Sequence, residues 1–185
     1  HAGVVPIGGD HITSDLAIGL RTSVDVAERV KLEFGTAVSK NEEKKEEVNL
    51  AEFGGEDERA SRKYITEIIA ARVEELYEKI DKDLKKIGRS GMLPAGVILT
   101  GGGAKLGGLV ELAKDKLRLP ASLGYPIGFM SAVDKINDLS FTGAVGLVRW
   151  GAESQKGGKE SFGIKIPQLG NALGSLTKWI KSLMP

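Results

Sequence analysis

Two stretches decide the fold: VVPIGGDHITSDLAIGL, residues 4–20, and GVILTGGGAKLGGLVELA, residues 96–113. In the first, residues 2–7 are a short β-rich run that stops at Gly8-Gly9, and residues 13–20 then take helical spacing through Leu16, Ala17 and Leu20. In the second, residues 96–100 form a continuous apolar strand of the kind buried on both sides. Gly101-Gly102-Gly103 then turns the chain into a helix starting near Leu106. Two strand, glycine and helix units predict an α/β domain.

The segments around them fill in the organisation. Thr22 or Ser23 can cap a second helix, with Asp25 in its first turn, Val26, Val30 and Phe34 on its buried side, and Gly35 at its end. Residues 39–57 are strongly charged, and 46–50 with Phe53-Gly54-Gly55 suggest a strand or hairpin on an exposed surface. Residues 59–87 predict a long helix, because Ile65, Ile68, Ile69, Val73, Leu76, Tyr77, Ile80, Leu84 and Ile87 keep one apolar stripe. After Pro94 and the second unit, residues 121–125 supply a further strand and 141–150 a small-residue helix. The charged insertion predicts an attached subdomain.

Beyond Trp150 the text turns polar and glycine-rich over residues 153–161, the composition of a flexible tether. The last fifteen residues, NALGSLTKWIKSLMP, are two-faced. On a helix, Leu173, Leu176, Trp179, Ile180, Leu183 and Met184 share one arc, while Lys178 and Lys181 lie opposite. Such a helix either docks on its own domain or lies in a membrane interface, with its lysines at anionic headgroups and its tryptophan at the boundary.

Composition narrows the function classes. The 185 residues are 41% hydrophobic, enough to bury a core, and 26 lysines and arginines nearly balance 25 acidic residues, so no global field argues for nucleic acid. The absence of cysteine excludes disulfides, thiol catalysis and thiolate metal sites. No apolar run approaches the roughly 20 residues needed to span a bilayer. The opening residues lack a signal peptide's pattern and read as the inside of a strand, so the chain is expected to be part of a longer one.

Individual motifs are weighed in the same way. Residues 101–108 lack the Gly-Lys-Ser/Thr of a P-loop and the spacing of the dinucleotide fingerprint. They suit a plain tight turn, and equally a backbone that a ligand approaches closely at a helix N-terminus. His11 has no histidine partner for a metal and reads as structural. Asp10 and Asp15 flank it, placed either near a magnesium-phosphate group or, for Asp15, as a charge at a helix start. Residues 42–47 read as a solvated loop. Arg62, Arg72, Lys79 and Lys82 decorate the wet face of the long helix.

The order of the two phrases, joined by AERVKLEFG (27–35) and IIAARVEELY (68–77) and followed by this tail, resembles the second half of the FtsA family, actin-like ATPases of bacterial cell division. Either phrase alone also suits other members of the actin, Hsp70 and MreB superfamily, chaperone-like ATPases among them, or a pilus-assembly scaffold with an FtsA-like fold. The resemblance implies an actin-like (ribonuclease H-like) α/β half: subdomain 2A at residues 1–35 and 94–150, subdomain 2B at 36–93, a flexible linker at 151–170 and an amphipathic membrane-targeting helix at 171–185. It further implies that Gly101, Gly102, Gly103 and Lys105 surround the adenine and ribose of ATP with magnesium, that Glu28 and Lys31 face the ribose, and that Gly9 lies near the phosphates.

The resemblance also implies partners. Arg62, Arg72, Lys79 and Lys82 would receive the acidic C-terminal tail of the tubulin-like protein FtsZ. The protein would form filaments, meet other division proteins and bind the anionic cytoplasmic face of the cell membrane at the division site through Leu173, Leu176, Lys178, Trp179, Ile180, Lys181, Leu183 and Met184. It would be at most a weak ATPase. The two phosphate-binding hairpins of the fold are expected before His1, so this stretch is expected to bind ATP weakly or not at all.

Overall fold

In the computed structural model, which describes residues 1–38, 46–128 and 138–156, the first glycine pair opens a helix without a strand before it. α1 spans Gly9–Gly19 and buries Ile12, Leu16 and Ala17. The strand expected over residues 2–7 does not form, and Val4 stands 90% exposed. A strand exists only by pairing its backbone, and no described strand lies beside this one. α2, Val24–Phe34, starts where Ser23 accepts a hydrogen bond from the Val26 amide (3.3 Å) and turns Val26, Ala27 and Val30 inward, packing on α1.

The charged insertion contains an antiparallel hairpin, β1 (Glu47–Asn49) and β2 (Arg59–Ser61), in the register Val48↔Ala60. It is not the exposed surface element expected, because Val48 and Leu50 are buried and Phe53 meets Phe34 edge to face at 5.8 Å. The long helix, α3, runs Arg62–Lys86. It begins three residues later than its stripe predicts: residues 59–61 are taken by β2, and Ser61 caps the first turn by accepting from the Tyr64 amide (3.2 Å). Its Ile65, Ile69, Val73 and Tyr77 face inward, and α3 packs on both α1 and α4. Leu16, Ile65, Ile69 and Leu117 are essentially sealed from water, and burial of such side chains contributes about 1.5–3 kcal/mol apiece.

The second unit of the sequence pattern is a strand, a turn, a helix and a strand. β3 (Val97–Leu99) leads into a 3-10 turn at Gly102–Lys105, then α4 (Leu109–Leu117), then β4 (Ala121–Leu123), which pairs parallel to β3 with Ile98 opposite Ser122. Two expectations change here. α4 begins at Leu109, not Leu106, because Gly108 takes a left-handed φ of +74° and resets the chain. β3 is not buried on both sides: Ile98 is 60% exposed on a face left open among the described residues.

A short 3-10 turn at Leu139–Phe141 then starts α5, Thr142–Lys156. The chain divides into two units, residues 1–146 and a second that begins at Leu147. In the second unit the helical conformation continues to Lys156, past the point where the linker was expected to begin, with Arg149 Nε donating to Glu153 Oε1 (2.8 Å) one turn on. The rest of that linker and the expected amphipathic helix at 171–185 lie outside the described residues. No described helix is long and apolar enough to cross a membrane.

Candidate functional site

The packing of α2 on α1 brings two glycine-rich turns to one cleft. Ala27 and Val30 face inward, so the neighbouring Glu28 and Lys31 emerge together on the flank of α2, one helical turn apart. That flank looks toward the start of α1 and the turn after β3. The cleft has a volume of about 510 Å³ and is lined by Gly9, Ile12, Glu28, Lys31, Leu32, Gly35, Gly102, Gly103, Lys105, Leu106 and Ser140. Both its size and its makeup, apolar walls with a few convergent polar groups, suit a small-molecule ligand.

Polar groups inside it are tightly organised. Lys31 Nζ lies 2.6 Å from Glu28 Oε2 and donates to Thr13 Oγ1 (2.7 Å) and to the Gly9 carbonyl (3.3 Å). Thr13 is buried, and its hydroxyl donates to Glu28 Oε2. Burial raises the Glu28 pKa, but the Lys31 ammonium and the Thr13 hydroxyl together outweigh it, so the carboxyl stays below its ordinary value and is charged. Across the cleft Lys105 Nζ holds Asp138 (2.9 Å), which also accepts from the Ser140 amide (2.8 Å). Those bonds, the amide's first and the ammonium's second, bring the Asp138 pKa down to about 2.

The glycines differ in what they answer to. Gly101 needs its left-handed φ of +89°. Gly103 does not take such a conformation, and a Cβ placed on it would meet no atom within 4 Å. No described residue requires glycine there, and Gly103 leaves its backbone exposed on the cleft wall. Exposed backbone beside apolar walls and a few polar groups is a lining that would suit the nucleoside implied by the resemblance. No group of three or more histidines or acidic residues able to hold a metal occurs among the described residues.

A family model described as cell division protein FtsA matches residues 1–146. The chain belongs to the FtsA family. Proteins of the same description are 33% identical over 85% of this chain in Pseudomonas aeruginosa, 33% over 89% in Bacillus subtilis and 28% over 98% in Escherichia coli. The chain spans 38%, 36% and 45% of those proteins, less than half their length. Membership in FtsA, with the mixed α/β architecture, supports the actin-like fold expected from the resemblance.

Of the residues that the FtsA resemblance assigns to the nucleotide, Gly9, Glu28, Lys31, Gly102, Gly103 and Lys105 line this one cleft; Gly101 caps the turn just before it. Thr13, Leu32, Leu106, Asp138 and Ser140 were not singled out. Only Asp138 carried a readable signal, a cap residue two positions before Ser140 at the start of a helical segment. His11 is exposed, its Nδ1 accepting from the Gly8 amide (3.2 Å). Asp15 lies in the middle of α1 and not at its start, and both its oxygens hold Arg72, at 2.6 and 2.8 Å.

That pairing bears on the expected FtsZ contacts. Arg72 joins α3 to α1 and also meets Glu75, Lys79 holds Glu75 (3.0 Å), and Arg62 holds Glu46 (2.5 Å) while lying over the Phe34 ring. Lys82 is exposed. Arg72 and Lys79 share one side of α3, whereas Arg62 and Lys82 lie about 80° to either side of Arg72 and about 30 Å apart along the axis. The four do not form a single patch.

Proposed function

We propose that this chain is the adenosine-holding half of an actin-like cell division adaptor. The observation that carries the proposal is the convergence of Gly9, Glu28, Lys31, Gly102, Gly103 and Lys105 on one cleft, with open space beside Gly103 that no described residue fills. Ile12, Leu32 and Leu106 would flank the base, Glu28 would accept from the ribose, and Lys105 is kept at the rim by Asp138. ATP with magnesium would supply the charge and phosphate contacts that close the complete protein around this half, magnesium being held largely by phosphate oxygens and water.

In the complete protein the reading extends to assembly. The two-faced segment at 171–185 would lie in the cytoplasmic face of the membrane, and filaments carrying many copies would bind firmly where one helix binds reversibly. FtsZ would be tethered there through its acidic tail, with Lys82 and the outer edge of α3 the exposed cations available to it. The measurement is sedimentation with phosphatidylglycerol vesicles. The chain is expected to pellet with them and Trp179→Glu to stay in solution; equal pelleting by both, or by neither, contradicts the tether.

A further inference from the structure

The last turn of α3 and the end of α4 come together at one corner of residues 1–146, and none of their residues lines the cleft. Asp81 sits at the centre of this corner. It takes hydrogen bonds from Lys85 (2.7 Å) and the Ser90 hydroxyl, and these, with Arg118 at the end of α4 close enough to add its charge, hold the carboxyl below its ordinary pKa. Four cations gather here, Lys85, Lys86, Arg89 and Arg118, and all are exposed. The carboxylates beneath them are more covered: Lys85 is 61% exposed against 14% for its partner Asp81, and Lys86 75% against 35% for Asp83. No acidic residue occurs from 84 to 92. The chain's net charge is +1, so without these four cations it is −3.

Apolar side chains stand out beside the cations. Met92 is 65% exposed and Ile87 39%. The turn that carries them is well bonded: the Arg89 amide donates to the Leu84 carbonyl (2.8 Å) and the Met92 amide to the Arg89 carbonyl (3.0 Å), while Gly88 and Gly91 take left-handed φ values of +66° and +64°. The helix dipole accounts for Lys85 and Lys86 in the last turn of α3. It gives no reason for holding Met92 in water next to them.

We propose that this corner is a second membrane contact, which rests on an anionic lipid surface once the chain is anchored there. The inference rests on the proposed tether only for that anchor. Each cation near an anionic leaflet strengthens binding by about fivefold, and exposed apolar side chains enter the headgroup layer. A nucleic acid fits less well, because residues 84–92 hold no aromatic ring on which a base could stack. Four cations alone do not hold the chain on a bilayer. They act because the anchor keeps them close to it, and being part of the folded body they set which side of residues 1–146 faces the lipid.

The chain has no cysteine, so Met92→Cys and Glu56→Cys each give a single site for an environment-sensitive nitrobenzoxadiazole dye. With vesicles of phosphatidylglycerol and phosphatidylcholine, the dye at position 92 is expected to shift to the blue and brighten, and the dye at 56, in the β1–β2 connection, to stay unchanged. Half a molar salt should reverse the shift. In the unlabelled chain, the combined change Lys85→Gln, Lys86→Gln and Arg89→Gln should raise the lipid needed for half-maximal pelleting about tenfold or more. A chain that pellets with no shift at 92, or with equal shifts at 92 and 56, overturns the proposal. So does an equal shift on pure phosphatidylcholine, and a duplex oligonucleotide that shifts the dye at 92 more strongly than vesicles assigns the corner to nucleic acid instead.

A second arm separates this inference from the tether. The Trp179→Glu chain with a C-terminal hexahistidine tag is held on vesicles by a nickel-chelating lipid, with and without phosphatidylglycerol. The dye at 92 should shift only where phosphatidylglycerol is present. If the untagged chain does not pellet at all, the tether fails, and the corner still stands or falls on this arm.

Discussion

At the scale of the residue, the decisive feature is a side chain that is missing. Gly103 sits where a Cβ would touch no described atom within 4 Å and takes no left-handed conformation, so the described fold gives no reason for glycine. Gly103→Ala is therefore expected to leave stability within about 0.5 kcal/mol of the wild type, as an unstrained surface substitution does. The same change should weaken adenosine binding tenfold or more by placing a methyl group in the cleft. Urea unfolding and an NMR titration with adenosine together check this, and a large loss of stability would mean that the glycine serves the fold. The pairing of Glu28 with Lys31 was legible because three residues along a helix is a neighbour distance. Thr13 was not, because a threonine in a helix has many ordinary uses, and the Arg72–Asp15 bond joins residues 57 positions apart that no local pattern connects.

At the scale of the element, sequence and structure agree where periodicity is long and part where an element depends on its neighbour. α3 was plain because its stripe repeats over 25 residues, and α2 because Ser23 and Gly35 mark its ends. Residues 2–7 and β3 carry the same apolar β-rich text. Only β3 has a described partner, and it becomes a strand. The start of α3 was misplaced for a related reason: residues 59–61 suit a helix locally and are claimed by β1 across the hairpin. β3 and β4 in turn depend on Gly96, whose φ is +75° and where an added Cβ would lie 2.2 Å from the Pro120 carbonyl oxygen. That oxygen accepts from the Val97 amide (2.7 Å), the first bond of the pair. Gly96→Ala should cost about 2 kcal/mol or more, from backbone strain and the displaced strand together. Urea unfolding measures it, and a loss under about 0.5 kcal/mol would show that the β3–β4 junction is more yielding than its geometry implies.

At the scale of the whole molecule, the cleft is a product of assembly. Gly9, Glu28 and Gly103 come from α1, α2 and the turn after β3, and they meet because the inward faces of α1, α2, α3 and α4 bury one common core. The sequence phrases pointed to glycines that line the cleft, but only the packed helices place them around one space. The chain covers less than half of the FtsA proteins it resembles, so the role proposed for it in a complete adaptor rests on whether this space holds adenosine. The most direct measurement is a set of intermolecular NOEs between adenosine and the methyl-labelled chain. The account predicts contacts from the adenine and ribose protons to the methyls of Ile12, Leu32 and Leu106. Contacts confined to residues away from the cleft, or none at saturating adenosine, would contradict it.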